Sequence, residues 1–309
     1  MRIMFMGTPE FAAQSLRAMV DDGRNVVCVI TQPDKPKGRG YEMAMPEVKK
    51  YALEKGIDVF QPETLKDGAI LPILEKYNPD IIIVVAYGKI LPEYILNYPR
   101  LGCINIHGSL LPKYRGAAPI QRAVIDGEKK SGVTSMYMEK GLDTGDMLLW
   151  EEVEITPQMT AGELHDILAV LGGKVLLETL DKAENGTLNP IKQDDSLSTY
   201  ASQLTKAEGE IDWSRSNIEI INKIRGLNPW PMAYSFLNGK RFVIDAAYPL
   251  NENGTAGSVL KASSEGIVVA CKTGSVLIKN IKIEGKKKMS VEDYLRGHTI
   301  EAGTILGKE

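Results

Sequence analysis

Short apolar runs alternate with helix-length amphipathic segments through the first third of the chain, and no other feature restricts the fold as much. Arg2–Met6, Val26–Thr31, Ile57–Phe60, Ile81–Ala86 and Cys103–Ile106 read as strands; Glu10–Asp22, Pro46–Lys55 and Leu65–Tyr77 have the spacing and length of helices. Strands that are apolar throughout and joined by helical crossovers predict a mostly parallel sheet covered on both faces. The first strand leads into Gly7-Thr8-Pro9-Glu10, which predicts Thr8 as N-cap and Pro9 at the first helical position. A dinucleotide site would need Gly-x-Gly-x-x-Gly at this turn so that backbone could approach a pyrophosphate. That fingerprint is missing, so a Rossmann-like α/β sheet is predicted and the turn counts against a dehydrogenase.

The 309 residues suit two domains. Met147–Ile155 reads as a further strand and Ala161 to about Glu184 as a helix, after which residues 185–206 are polar and rich in turn formers. The expected division is a catalytic domain over 1–189, a linker over 190–206 and a second domain over 207–309. In that last part a helix from Asn217 to Arg225 precedes Asn228-Pro229-Trp230-Pro231 and short strands at Ala233–Phe236, Phe242–Ala247, Gly266–Ala270 and Val276–Ile283. Short strands split by Asn253-Gly254 and Thr273-Gly274 predict a small β-barrel of the OB-fold type.

Composition narrows the class further. No apolar run reaches the roughly 18 residues of a membrane span, and the apolar run after Met1 is too short for a secretion signal. Cys28, Cys103 and Cys271 are odd in number and far apart, and Cys28 and Cys103 lie in strand-like runs; buried thiols in a reducing, cytoplasmic setting are expected. No Cys or His cluster has ligand spacing, so no metal is expected. The net charge of −3 conceals a basic second part, in which Lys261 to Lys288 holds seven lysines and two glutamates and ends in Lys286-Lys287-Lys288. Such a run is either a solvated face or a polyanion contact.

The chemistry concentrates in Leu101-Gly102-Cys103-Ile104-Asn105-Ile106-His107-Gly108-Ser109-Leu110-Leu111-Pro112, which carries one of only three histidines. Ligands of open α/β sheets sit beyond the carboxyl ends of strands, and residues two apart on a strand share a face. Asn105 and His107 therefore project together into one crevice. An amide donor beside an imidazole suits acyl transfer, the amide holding a developing oxyanion and the imidazole handling a proton. Asp143, in Gly141-Leu142-Asp143-Thr144-Gly145-Asp146, is the candidate to orient that imidazole and favour its cation. The residues alone leave a plainer reading open, with His107 a satisfied structural group and Asp143 a turn cap. A nucleophilic Ser109 is disfavoured, because no Gly-x-Ser-x-Gly elbow surrounds it.

Asn105 through Pro112, with Tyr114-Arg115-Gly116-Ala117-Ala118-Pro119 and Asp143-Thr144-Gly145, closely resembles the folate-dependent formyltransferases. The opening Phe5-Met6-Gly7-Thr8-Pro9-Glu10-Phe11-Ala12, the loop Pro33 to Gly40, Asn228-Pro229-Trp230-Pro231 and the stretch Gly285 to His298 are similar to the branch acting on methionyl-tRNA. The resemblance covers nearly the whole chain in order. It implies transfer of a formyl group from 10-formyltetrahydrofolate to methionyl initiator tRNA for translation initiation; a monomer is expected. Asn105, His107 and Asp143 fall on the family's catalytic trio. Ser109, Leu110, Leu111 and Pro112 fall on its folate-lining turn, and Val84, Ala86 and Gly88 on its pterin-contacting segment. Arg39 falls on a loop that contacts the tRNA acceptor arm, and Lys286, Lys287 and Lys288 on the tRNA-binding domain. The family often has two lysines after Gly-Arg-Gly, where this chain has Tyr41-Glu42, so the loop is less basic here. His165 and His298 have no counterpart and read as structural. Two rival readings share these features: a folate-dependent N-formyltransferase acting on a sugar or ribonucleotide amine, and a non-catalytic RNA-binding module with a vestigial cleft.

Overall fold

A computed structural model describes residues 1–37 and 42–307. The chain divides into two compact units. The first comprises Met1–Pro119, Lys130–Glu154 and His165–Ala201; the second comprises Ile120–Lys129, Ile155–Leu164 and Ser202–Glu309. Arg39 and Tyr41 lie outside the described residues.

In chain order the elements up to residue 201 are β1 (Ile3–Gly7), α1 (Glu10–Asp21), β2 (Val26–Ile30), the hairpin β3 (Lys35–Lys37) and β4 (Glu42–Ala44), α2 (Glu47–Glu54), β5 (Val59–Phe60), α3 (Leu71–Tyr77), β6 (Ile81–Val85), α4 (Glu93–Leu96), β7 (Cys103–His107), β8 (Arg115–Gly116), α5 (Pro119–Ile125), β9 (Lys130–Tyr137), β10 (Met147–Glu154), α6 (Ala161–Glu184) and β11 (Tyr200–Ala201). The main sheet has the order β10-β9-β7-β6-β1-β2-β5. Its pairings are parallel from β5 to β7 and antiparallel at β9 and β10. β1 and β6 are buried at every position, as two-sided cover requires. Burying each such Ile, Val or Met contributes about 1.5–3 kcal/mol. The chain moves outward from β1 to β2 and β5, then returns on the other side of β1 as β6 and β7, so the topological switch point lies between β1 and β6.

Three local expectations are corrected, and one strand had no expectation to correct. The helix expected from Leu65 begins at Leu71, because Asp67 and Gly68 take φ of 55° and 73°, which no helix tolerates. Thr8 does not cap α1: Pro9 occupies that position without a side-chain bond, and the Thr8 hydroxyl donates instead to the Tyr87 carbonyl at 3.3 Å. β9 is a central strand that the apolar pattern did not announce, because its buried positions include Ser131, Thr134 and Ser135. Residues 190–201 belong to the first unit rather than to a linker; β11 pairs with β8, and Gln193 is buried.

In the second unit α7 (Asn217–Gly226) starts at a capping box made by Ser216 and Glu219. There follow β12 (Ala233–Leu237), β13 (Lys240–Leu250), β14 (Val259–Ser263), β15 (Gly266–Ala270), β16 (Ser275–Ile283), β17 (Met289–Ser290) and α8 (Val291–Leu295). These strands form an antiparallel sheet of order β12-β13-β16-β15-β14, with β17 beside β16. Its two edges are joined through the C-terminal segment. Val259 donates to the Thr304 carbonyl at 2.8 Å, Leu306 to that of Gly257 at 2.8 Å, and Gly307 to that of Phe236 at 3.0 Å. That closure covers edges that would otherwise be free to pair. Among the described residues no helix is long and apolar enough to cross a membrane.

Candidate active site

β7 carries both candidate residues at its carboxyl end, between parallel β6 and antiparallel β9. Asn105 pairs with Val84 on one side and Met136 on the other, and His107 with Thr134. The two side chains share a face, as their spacing requires. Asn105 is half-buried, and among the described residues no hydrogen bond is made by its amide. His107 is buried.

The imidazole faces an acceptor at each nitrogen. Nε2 lies 2.9 Å from the Tyr114 carbonyl, and Nδ1 lies 3.7 Å from Asp143 Oδ2. A carbonyl only accepts, so Nε2 carries a proton, and Nδ1 faces the carboxylate beyond hydrogen-bond distance. Asp143 Oδ2 also accepts from the Gly116 N–H at 2.8 Å, which fixes the oxygen nearest the ring.

Beyond His107 the chain folds into a compact turn. The Ser109 hydroxyl is buried and donates to the Lys113 carbonyl at 2.7 Å, so its proton is committed to the turn and the nucleophile option loses its support. Thr134, opposite His107, donates to the Ser109 carbonyl at 2.7 Å and accepts from Leu111 N–H at 3.2 Å. One hydroxyl thus ties both limbs of the segment Ser109, Leu110, Leu111 and Pro112 to the sheet. Leu111 is buried and Pro112 half-buried.

The segment after β6 lies at the switch point. Val84 is buried within the strand, whereas Ala86 and Gly88 are exposed, with φ of 44° and 80°. The intervening Tyr87 is buried, and its carbonyl accepts from Thr8 Oγ1 at 3.3 Å and Gln32 Nε2 at 3.0 Å. Side chains from the ends of β1 and β2 therefore hold this loop with its backbone turned outward. Burial pushes the Tyr87 hydroxyl up to about 12, so it stays neutral beneath the site.

The Asp143 loop is shaped by two backbone constraints. Asp143 has φ of 54°, a left-handed conformation that costs a residue with a Cβ about 1–2 kcal/mol. Gly145 lies so close to β9 that a Cβ would fall 1.9 Å from the Tyr137 carbonyl oxygen. The loop carbonyls are met by Gln193, whose Nε2 donates to Asp143 O at 2.9 Å and Gly145 O at 2.7 Å. The Gln193 Oε1 accepts from Arg115 Nε at 3.1 Å and Nη2 at 2.8 Å. Sequence reasoning missed Thr134, Gln32 and Gln193. The first sits in a strand with weak apolar contrast, and the last in a stretch that reads as solvated loop.

In the second unit Lys286 and Lys287 are exposed in the turn between β16 and β17, while Lys288 pairs with Asp245 at 2.5 Å. His298 stacks on Tyr294 with ring centroids 4.2 Å apart, and His165 lies 5.4 Å from the Phe11 ring. Neither joins the group around His107.

Residues 1–180 match the formyl transferase family model, and residues 203–299 match that of the formyl transferase C-terminal domain. A methionyl-tRNA formyltransferase of Clostridium novyi is 54% identical over 99% of this chain and 100% of its own. One from Caldanaerobacter subterraneus is 51% identical over 99% and 100%. Among solved structures, the sugar 3N-formyl transferase WlaRD superposes with a TM-score of 0.68 at 20% identity, over 93% of this chain and 99% of that one. HypX from Aquifex aeolicus, in complex with tetrahydrofolic acid, gives a TM-score of 0.62 at 20% identity; the match covers 96% of this chain and 47% of that one. Matched by family models in both its parts and by full-length relatives at about half identity, the chain belongs to the formyl transferase family.

Proposed function

We propose that the protein transfers a formyl group from 10-formyltetrahydrofolate to the α-amino group of methionyl initiator tRNA, as a monomer in the cytoplasm. The observation that carries this reading is the meeting of Asn105, His107 and Asp143 at one strand end, in a chain matched end to end by relatives named for that substrate. The exposed residues Ala86 and Gly88 supply backbone donors and acceptors of the kind a pterin edge needs, and the turn at Ser109–Pro112 follows the neighbouring strand β7. In the reaction the neutral amine attacks the formyl carbon, forming a C–N bond and an oxyanion. Collapse breaks the bond to the folate nitrogen, which receives the proton lost by the amine. Asn105, with its amide uncommitted, donates to the oxyanion. His107 exchanges the Tyr114 carbonyl for the same oxygen at Nε2, stabilises it as a cation and relays protons, while Asp143 orients the ring from the Nδ1 side. Lys286 and Lys287 reach tRNA phosphates from the second unit, and Arg39 from its loop.

A formylation assay tests the reading, with charged initiator tRNA, an amino sugar nucleotide and a ribonucleotide amine offered separately, each with and without 10-formyltetrahydrofolate. Donor-dependent formylation of the tRNA alone is expected. Preference for either small amine would transfer the reading to another substrate, and no transfer to any of them would remove it.

A further inference from the structure

Asp143 keeps its left-handed backbone only while its surroundings determine it, since strain of this kind relaxes when the neighbours permit. The neighbours form a closed ring of hydrogen bonds. Arg115 donates twice to the Gln193 amide oxygen, the Gln193 amide nitrogen donates to the carbonyls of Asp143 and Gly145, and the Asp143 carboxylate accepts from the N–H of Gly116, the residue after Arg115. The orientation of the amide is not ambiguous: a guanidinium only donates and carbonyls only accept. Both bridging side chains are buried, Gln193 at 5% and Arg115 at 9% exposure, so neither can exchange these partners for water. The ring rests on β8, which pairs with β11, and the Arg115 N–H donates to the Thr199 carbonyl at 2.9 Å. Arg115 Nη2 also meets Asp195 Oδ1 at 2.8 Å.

We infer that Gln193 is a positioning residue for the transfer proposed above: it clamps the two carbonyls flanking the Asp143 loop, so that the carboxylate held by Gly116 stays aimed at His107. The inference rests on the assignment of Asp143 as the group that orients His107. A glutamine is required rather than an acid, because the two loop carbonyls need two donors. Glutamate would keep the bonds from Arg115 but set an oxygen against both carbonyls, pushing the loop away while leaving the buried guanidinium satisfied. Misplacing a catalytic group by about 1 Å costs about 100-fold in rate.

Gln193→Glu, Asp143→Asn and the double variant test this in the full-length protein, by single-turnover formyl transfer to methionyl-tRNA, tRNA and folate affinities, and thermal melting. Gln193→Glu should slow the chemical step by about 10- to 100-fold with both affinities unchanged. The double variant should run within about 3-fold of Asp143→Asn alone, because a residue acting through Asp143 has nothing left to act on. Should Gln193→Glu fail to fold, Gln193→Ala enters the same assays with the same expectations. Asp143→Asn slow and Gln193→Glu at the wild-type rate would overturn the inference and leave the role of Asp143 standing. Multiplicative losses in the double variant would also overturn it. Asp143→Asn at the wild-type rate would remove the role of Asp143 and this inference with it.

Discussion

Replacing Asp143 by asparagine isolates the charge behind the imidazole. The oxygen that faces His107 Nδ1 at 3.7 Å is the same Oδ2 that accepts from Gly116 N–H at 2.8 Å. An asparagine that keeps its oxygen there retains both interactions, and only the negative charge is removed. Two unit charges at that separation interact by about 4 kcal/mol at an effective dielectric of about 20. Each 1.4 kcal/mol is about tenfold in rate, so complete loss would slow the step by about 1000-fold. The pair is not wholly sealed from solvent, with side-chain exposures of 7% and 11%, which sets the expected loss at about 100- to 1000-fold. Rapid-quench single-turnover transfer to methionyl-tRNA reads the chemical step directly, with tRNA affinity measured alongside and expected to be unchanged. A rate within about 3-fold of wild type would refute the electrostatic role and leave Asp143 as a turn residue.

Gly145→Ala places a Cβ against the Tyr137 carbonyl, so the loop must shift; a loss of about 1–3 kcal/mol in stability and a slower chemical step are expected, and a variant with the wild-type melting point and rate would contradict the close approach. The Arg2 backbone N–H at 2.7 Å and the Arg100 guanidinium hold the Asp80 carboxyl below its usual range. Its contribution to stability is therefore complete above the unfolded value of about 4 and vanishes as pH falls through the lower folded value, so the melting-point gap between wild type and Asp80→Asn should close in acid, and a constant gap would sink the assignment. Burial pushes the Cys28 and Cys103 thiols up to about 12 and that of Cys271 to about 11, so a thiolate-selective reagent at pH 8 should label all three only after unfolding. Lys286→Ala with Lys287→Ala should weaken tRNA binding and flatten its salt slope by about 0.9 for each phosphate no longer neutralised, whereas Lys288→Ala, whose partner is Asp245, should change the slope little; equal slopes in all variants would leave these lysines as a solvated face.

Periodicity along the chain was enough to read the α/β sheet and the barrel-like second part, because burial on two faces or one imposes a pattern on neighbouring residues. β1, β2, β6 and β7 lie where their apolar runs begin and end, to within a residue or two. Asn105 and His107 were legible for the same reason: residues two apart on a strand share a face whatever packs around them. β9 was not legible, because its buried Thr134 and Ser135 are satisfied by bonds to the Ser109 turn and to β10, which leave no apolar signature.

Other features depended on where the fold brings distant residues. Asp143 could be named from its glycine-rich loop, but its approach to His107 depends on a left-handed backbone and on the N–H of Gly116. Gln193 lies 50 residues from Asp143 in a stretch whose polarity reads as solvent-exposed. It is buried because the pairing of β8 with β11 carries it there, and it is polar because two carbonyls and a guanidinium meet at that point. Hydropathy records whether a position has a satisfied apolar environment, and a buried amide with every hydrogen bond made is indistinguishable in sequence from one in water. The partners of such a side chain are set by contacts between segments far apart in the chain, so only the tertiary structure could decide them.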